Sequence, residues 1–226
     1  MRQNPNPDEK LKNIAVFLCL ANKLTRQGVI GDGLKVQKCT FLVTLDEFRN
    51  KLKGFNLTFF RYTWGPYSKQ LWELRDRLMS AGLLTEGKPL EAETGGVYAL
   101  TKPGRALSDD LCKDIWTDKR NAPFVRGIED VANQFATQDT NSIIKHVYDL
   151  EVQRLDGAMQ RIEDIPQKVD ITRVLDLAEA KAEIAIPDSW LETLALATSP
   201  TSRKGLDRAA ADLANGRVYS HTEVWA

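Results

Sequence analysis

Apolar residues recur at helical spacing from the start of the chain. Leu11, Ile14, Ala15, Leu18 and Ala21 form one face. Asn6 stands where a cap is needed, Pro7 fits the first helical position, and Asp8 and Glu9 suit the positive end of the helix dipole. Gly28 is the predicted stop, and residues 29–33 read as a turn. A second helix is predicted over 34–52, with Val36, Cys39, Leu42, Val43 and Phe48 on one face. Phe41 and Leu45 sit elsewhere on the wheel, so this helix is expected to be buried on more than one side.

The period then changes. Phe55, Leu57 and Phe59 alternate with polar neighbours and predict a short strand over 56–62. Trp64-Gly65-Pro66-Tyr67 reads as a turn. Ser68 caps a third helix carrying Leu71, Leu74 and Leu78, which ends at Gly82. Residues 83–86 and 97–100 are β runs joined by a loop holding Pro89, Gly95 and Gly96, the pattern of a hairpin with a long tip. Thr101 caps a fourth helix over about 102–118. A helix, a hairpin and a further helix in that order are winged-helix-like, an analogy of fold alone. Beyond 121 the pattern predicts only helices: to about 138, from 140 or 141 to about 164, over 171–185, after a Ser189/Glu192 capping box, and over 203–215 following a linker at 199–202. The expected class is therefore α+β and mainly α-helical. Its helical N-terminal domain carries a short strand and a winged-helix-like β-hairpin, and an all-helical C-terminal half follows.

Composition narrows the function. The 226 residues hold 31 Lys+Arg and 31 Asp+Glu, so the formal charge is zero. Residues 1–120 carry 20 basic and 14 acidic residues, and residues 121–226 carry 11 and 17. The split is that of two functional halves facing differently charged partners, or of ordinary variation between two solvated surfaces. A uniformly basic nucleic-acid binder is excluded. No apolar run approaches the ~18 residues of a membrane span, and no leader is expected in the mixed-charge first twelve residues. Cys19, Cys39 and Cys112 lie far apart with no C-x-x-C spacing, the usage of a cytoplasmic protein with reduced, buried thiols.

Little supports catalysis. The two histidines, His146 and His221, have no metal-ligand spacing, and there is no G-x-S-x-G elbow or Walker A loop. Neighbouring acids such as Asp109 and Asp110 diverge on a helix. Neither enzymatic activity nor a metal or cofactor is expected. Interaction chemistry is richer. Phe59, Phe60, Tyr62, Trp64 and Tyr67 crowd nine positions together with Arg61, and Lys69, Arg75 and Arg77 follow. Such a cluster serves a protein hot spot, a nucleic-acid surface or simply the core.

Two segments carry a family likeness. Lys35-Val36-Gln37-Lys38 followed by Phe41-Leu42, and Trp64-Gly65-Pro66-Tyr67-Ser68 leading into spaced leucines, together resemble the two signatures of the Panacea-domain (SocA-like, phage-associated) family over about residues 10–120. Separately, residues 205–224, ending Gly216-Arg217-Val218-Tyr219-Ser220-His221-Thr222-Glu223-Val224, are similar to the C-terminal ends of small type II antitoxins. The resemblance implies a non-catalytic antitoxin that neutralises a cognate toxin by direct binding. It divides the chain into a Panacea-like domain (1–120), a helical extension (121–198) and an antitoxin-like tail (199–226). Partner contacts are expected at Lys35, Gln37, Lys38, Arg61, Trp64, Gly65, Pro66 and Tyr67, and in the tail at Arg217, Tyr219, Ser220, His221, Glu223 and Trp225. The alternative is a winged-helix regulator of a phage or defence locus, contacting operator DNA through Lys69, Arg75 and Arg77 beside Lys35 and Lys38.

Overall fold

In the computed structural model the chain is described over residues 5–25, 30–87, 96–153 and 157–217. Helix α1 (Pro7–Leu24) starts with the capping box its sequence encodes: the Asn6 side chain accepts from the Glu9 amide at 2.8 Å, and the Asn6 amide donates to the Glu9 carboxylate at 2.9 Å. Strand β1 (Gly31–Asp32) follows where a turn was expected. Asp32 then caps α2 (Gly33–Asn50) through the Lys35 amide. Both helices are buried almost all round, because their apolar residues leave no continuous polar face.

Strands β2 (Leu52–Lys53), β3 (Phe59–Tyr62) and β4 (Gly65–Tyr67) come next, so the predicted Gly-Pro turn is itself the returning strand of a hairpin. Pro66 is tolerated there because β4 is an edge strand. Helix α3 (Lys69–Ser80), capped by Ser68, leads to strands β5 (Leu84–Gly87) and β6 (Val97–Leu100) and to α4 (Lys102–Thr117), capped by Thr101. The hairpin forms as predicted, with Leu84 opposite Leu100, and β1 joins its far edge to give the order β1-β6-β5. Gly104 lets α4 start against it, since a Cβ there would lie 1.9 Å from the Leu83 carbonyl oxygen.

The second half departs from an all-helical pattern. Helices α5 (Ala122–Phe135) and α6 (Thr140–Asp149) form, but α6 stops short of the predicted 164. Strands β7 (Glu151–Gln153) and β8 (Met159–Arg161) then make a hairpin. Strand β9 (Asp170–Thr172) pairs antiparallel with β3, and β10 (Ala182–Glu183) pairs parallel with β2, where a helix over 171–185 was predicted. These pieces are extended because their backbone groups complete the first half. The Arg61 amide donates to the Val169 carbonyl, Lys181 donates to Lys51, and Ile184 to Lys53. Helix α7 (Asp188–Ala197) begins at Pro187 without a side-chain cap, so Ser189 and Glu192 form no capping box. The expected linker is instead the first turn of α8 (Pro200–Ala214), capped by Ser199.

The chain is mainly α with small sheets, an α+β class. One apolar core runs from Leu11 to Leu194: α4, α5 and α7 pack on α1, and α5 and α6 on α2. Position 120 is no break in it. The buried side chain of Asn121 donates to the Ile115 and Ala185 carbonyls and accepts from the Ala185 amide. Helix α8 packs against α7, none of its described side chains is buried, and Leu213 is 71% exposed. Among the described residues no helix is long and apolar enough to cross a membrane.

Candidate functional site

The two segments that carry the family likeness meet in space. The Gln37 amide donates to the Ser68 carbonyl at 3.1 Å, and its oxygen accepts from the Ser68 amide at 3.0 Å. The Lys38 ammonium donates to the Pro66 carbonyl at 2.9 Å. Gly65, at φ +93°, closes over that lysine: a Cβ there would sit 3.6 Å from Nζ and 3.5 Å from the Tyr148 ring. Lys35 reaches the other way and donates to the Ala136 and Gln138 carbonyls, each at 2.9 Å. Burial, reinforced by the nearby Arg61 charge, brings the Lys38 pKa down to about 7; burial lowers that of Lys35 as well.

Lys35, Gln37, Lys38, Gly65 and Pro66 are thus buried rather than offered to a partner, which corrects their expected role. Their polar atoms satisfy loop carbonyls and an amide that would otherwise be buried unpaired. Lys35 and Lys38 are equally withdrawn from any phosphate. Arg61 is half-buried, donates to the Ile162 and Tyr62 carbonyls, and lies 4.9 Å from the centre of the Tyr148 ring. The Tyr148 hydroxyl holds the hairpin tip through the Thr63 carbonyl at 3.0 Å.

What this frame presents outward is aromatic. Trp64, at the tip between β3 and β4, is 58% exposed, and Tyr62 is exposed beside it. A ladder of rings runs inward from Tyr62 to Tyr67 (5.3 Å between centroids), then Trp72 (6.3 Å) and Tyr98 (6.3 Å). Arg75 stacks on Trp72 at 4.1 Å, donates to the Tyr98 hydroxyl at 2.9 Å and pairs with Asp76. Leu34, Trp64, Trp72, Arg75, Tyr98 and Ile144 line a mainly apolar pocket of about 400 Å³. The basic residues of α3 do not form one row. Arg75 faces this pocket, whereas Lys69 and Arg77 line another with Lys10 and Glu73, and Arg77 donates to the Thr198 carbonyl at 3.4 Å.

Of the five rings expected here, Phe59 and Phe60 belong to the interior. Trp72, Tyr98 and Tyr148 join the site without having been foreseen; Trp72 stands just off the leucine pattern of α3, and Tyr98 lies inside the predicted strand but was not assigned to a site. In the tail, Arg217 is exposed and pairs with Asp212 at 3.3 Å, while Tyr219, Ser220, His221, Glu223 and Trp225 lie outside the described residues. His146 stacks on Phe135 at 4.9 Å, Cys39 is buried with its thiol pushed up to about 12 by burial, and no metal-holding cluster occurs among the described residues. Neither protein-family models nor curated proteins yield a match to this chain.

Proposed function

We propose that this chain is an antitoxin-like protein that silences a partner toxin by direct binding, with no chemistry of its own. The supporting observation is Trp64, a large exposed ring at the tip of a hairpin whose stem is held from beneath by Lys38 and Gln37, beside an apolar pocket edged by Arg75. Aromatic and arginine anchors around a pocket are the composition of protein hot spots. The exposed helix α8 supplies a second surface. The toxin as partner class rests on the resemblance to Panacea-domain antitoxins, and a cytoplasmic setting on the spacing of the three cysteines.

Operator binding is the second reading, favoured by the β5-β6 hairpin between α3 and α4. With Lys35 and Lys38 buried and Arg75 paired, it has Lys69 and Arg77 left to contact phosphates. Co-expression with the product of the neighbouring gene tests the first reading. That product alone should arrest growth, this chain should restore it, and Trp64→Ala should weaken binding at least tenfold while moving stability by less than about 0.5 kcal/mol. A harmless neighbour, or full protection by the variant, refutes the proposal. A salt-sensitive gel shift on the upstream DNA, retained by Trp64→Ala, would favour the regulator.

A further inference from the structure

Cys19 on α1 and Cys112 on α4 stand 93 positions apart in sequence, yet their Sγ atoms are 2.8 Å apart. Both are free thiols. A further approach of about 0.8 Å reaches disulfide bond length. The surrounding contacts fix the pair. On one side the Asn22 amide donates to the Ser108 hydroxyl at 3.0 Å and to the Asp109 carboxylate at 2.6 Å. On the other, Lys23 pairs with Glu129 at 2.8 Å and lies over the Trp116 ring, whose Nε1–H donates to the same carboxylate. These contacts grip α4 on both sides of Cys112 and keep the two sulfurs close, the condition for an efficient intramolecular reaction.

We propose that this pair is an oxidation site, at which a hydroperoxide closes a Cys19–Cys112 disulfide that bolts α1 to α4. The two thiols differ in access: Cys112 is 8% exposed and Cys19 is fully buried. Cys112 is therefore attacked first. Its thiolate takes the terminal oxygen of the peroxide, the O–O bond breaks, and a sulfenic acid forms with hydroxide, or alkoxide, as leaving group. The Cys19 sulfur then attacks the Cys112 sulfur, the S–O bond breaks, and the Cys19 proton leaves with that hydroxyl as water. With hydrogen peroxide the balance is two thiols plus one peroxide giving one disulfide and two waters. Burial and the neighbouring Cys112 both push the Cys19 thiol well up, which keeps it protonated and inert until the sulfenic acid stands beside it. Cys39, also raised by burial, serves as the internal control. A dithiol reductant reverses the closure by exchange.

The test uses the full chain, reduced and then treated with a few equivalents of hydrogen peroxide, followed by alkylation in denaturant. The expected product has lost two hydrogens and retains one alkylatable thiol, and a non-reducing peptide map joins the segments containing Cys19 and Cys112. Closing a loop of this length should raise Tm by roughly 5–10 °C, reversed by dithiothreitol. Cys39→Ser should behave as the parent. Cys112→Ser should form no disulfide, show no Tm rise, and yield its two remaining thiols, Cys19 and Cys39, to alkylation. Three alkylatable thiols after oxidation, a link involving Cys39, or oxidation of Cys112 beyond sulfenic acid without a disulfide would each overturn the proposal.

Discussion

Replacing Lys38 by Met isolates the energetics of the buried frame beneath the hairpin. The lysine titrates near 10.5 when exposed and near 7 in the folded protein. Between those values the unfolded chain holds the extra proton, so the lysine's contribution makes stability rise with pH. A depression of this size corresponds to about 5 kcal/mol of unfavourable free energy when the folded group is charged, at pH 6 and below. Methionine removes that penalty but leaves the Pro66 carbonyl without its donor, which costs about 1–3 kcal/mol. Lys38→Met should therefore be more stable than the parent by about 2–4 kcal/mol at pH 6. At pH 9 the advantage should shrink by about 2.5 kcal/mol, to near zero. Urea denaturation of both proteins at pH 6, 7, 8 and 9 measures the difference, and other titrating groups, present in both, largely cancel. Parallel stability curves across that range would refute the account, because they would mean Lys38 keeps the same charge in the folded and unfolded chains.

A buried carboxylate on the same helix, Glu47, gives the opposite sign. Burial raises Glu47 to about 8, so its contribution to stability falls as pH rises from 4.5 to 8; Glu47→Gln should abolish that fall and gain about 3 kcal/mol at pH 7, with little difference at pH 4, by differential scanning fluorimetry. Gly104→Ala should cost about 3 kcal/mol in urea, since the new methyl meets the Leu83 backbone; a loss under about 1 kcal/mol would show that the hairpin yields freely. A fragment of residues 1–120 should show no cooperative thermal transition by circular dichroism, because it exposes the faces of α1 and α2 that α5, α6 and α7 cover; a sharp transition would refute a shared core.

The helices of the first half were legible because each carries both a period and a cap: Asn6 with Glu9, Ser68, and Thr101 all perform as their spacing implies. The region from 150 to 186 was not. Ile162, Ile165, Ile171 and Leu175 are all buried, but they point inward from a single 3-10 turn at 162–164, from β9 on β3, and from the stretch after it. Strands of two or three residues are too brief to show a period of two, and the partners of β9 and β10 lie more than a hundred positions away. The candidate site was half legible. Its exposed rings were foreseen, whereas Lys35, Gln37 and Lys38 were assigned to a partner surface because they fall in a motif segment. The contrary signal was present: Val36, Cys39, Phe41, Leu42, Val43 and Leu45 leave α2 no polar face, so its charged residues must point into the protein and find carbonyls there.

That inversion changes what the two motif segments do. The polar residues Gln37 and Lys38 of the first are bonded to the backbone of the second, so each completes the other. Gln37 and Lys38 tie α2 to the backbone of residues 66–68, and Tyr148 and Arg61 tie α6 and the 162–169 segment to the same hairpin. Three separate stretches of chain therefore fix one tip. Ordering a free loop on binding costs about 0.5–1.5 kcal/mol for each immobilised side chain, and a tip already held avoids much of that loss. The burial cost of Lys38 and the exposure of Trp64 are thus two sides of one arrangement: polar groups placed inside hold an aromatic group outside.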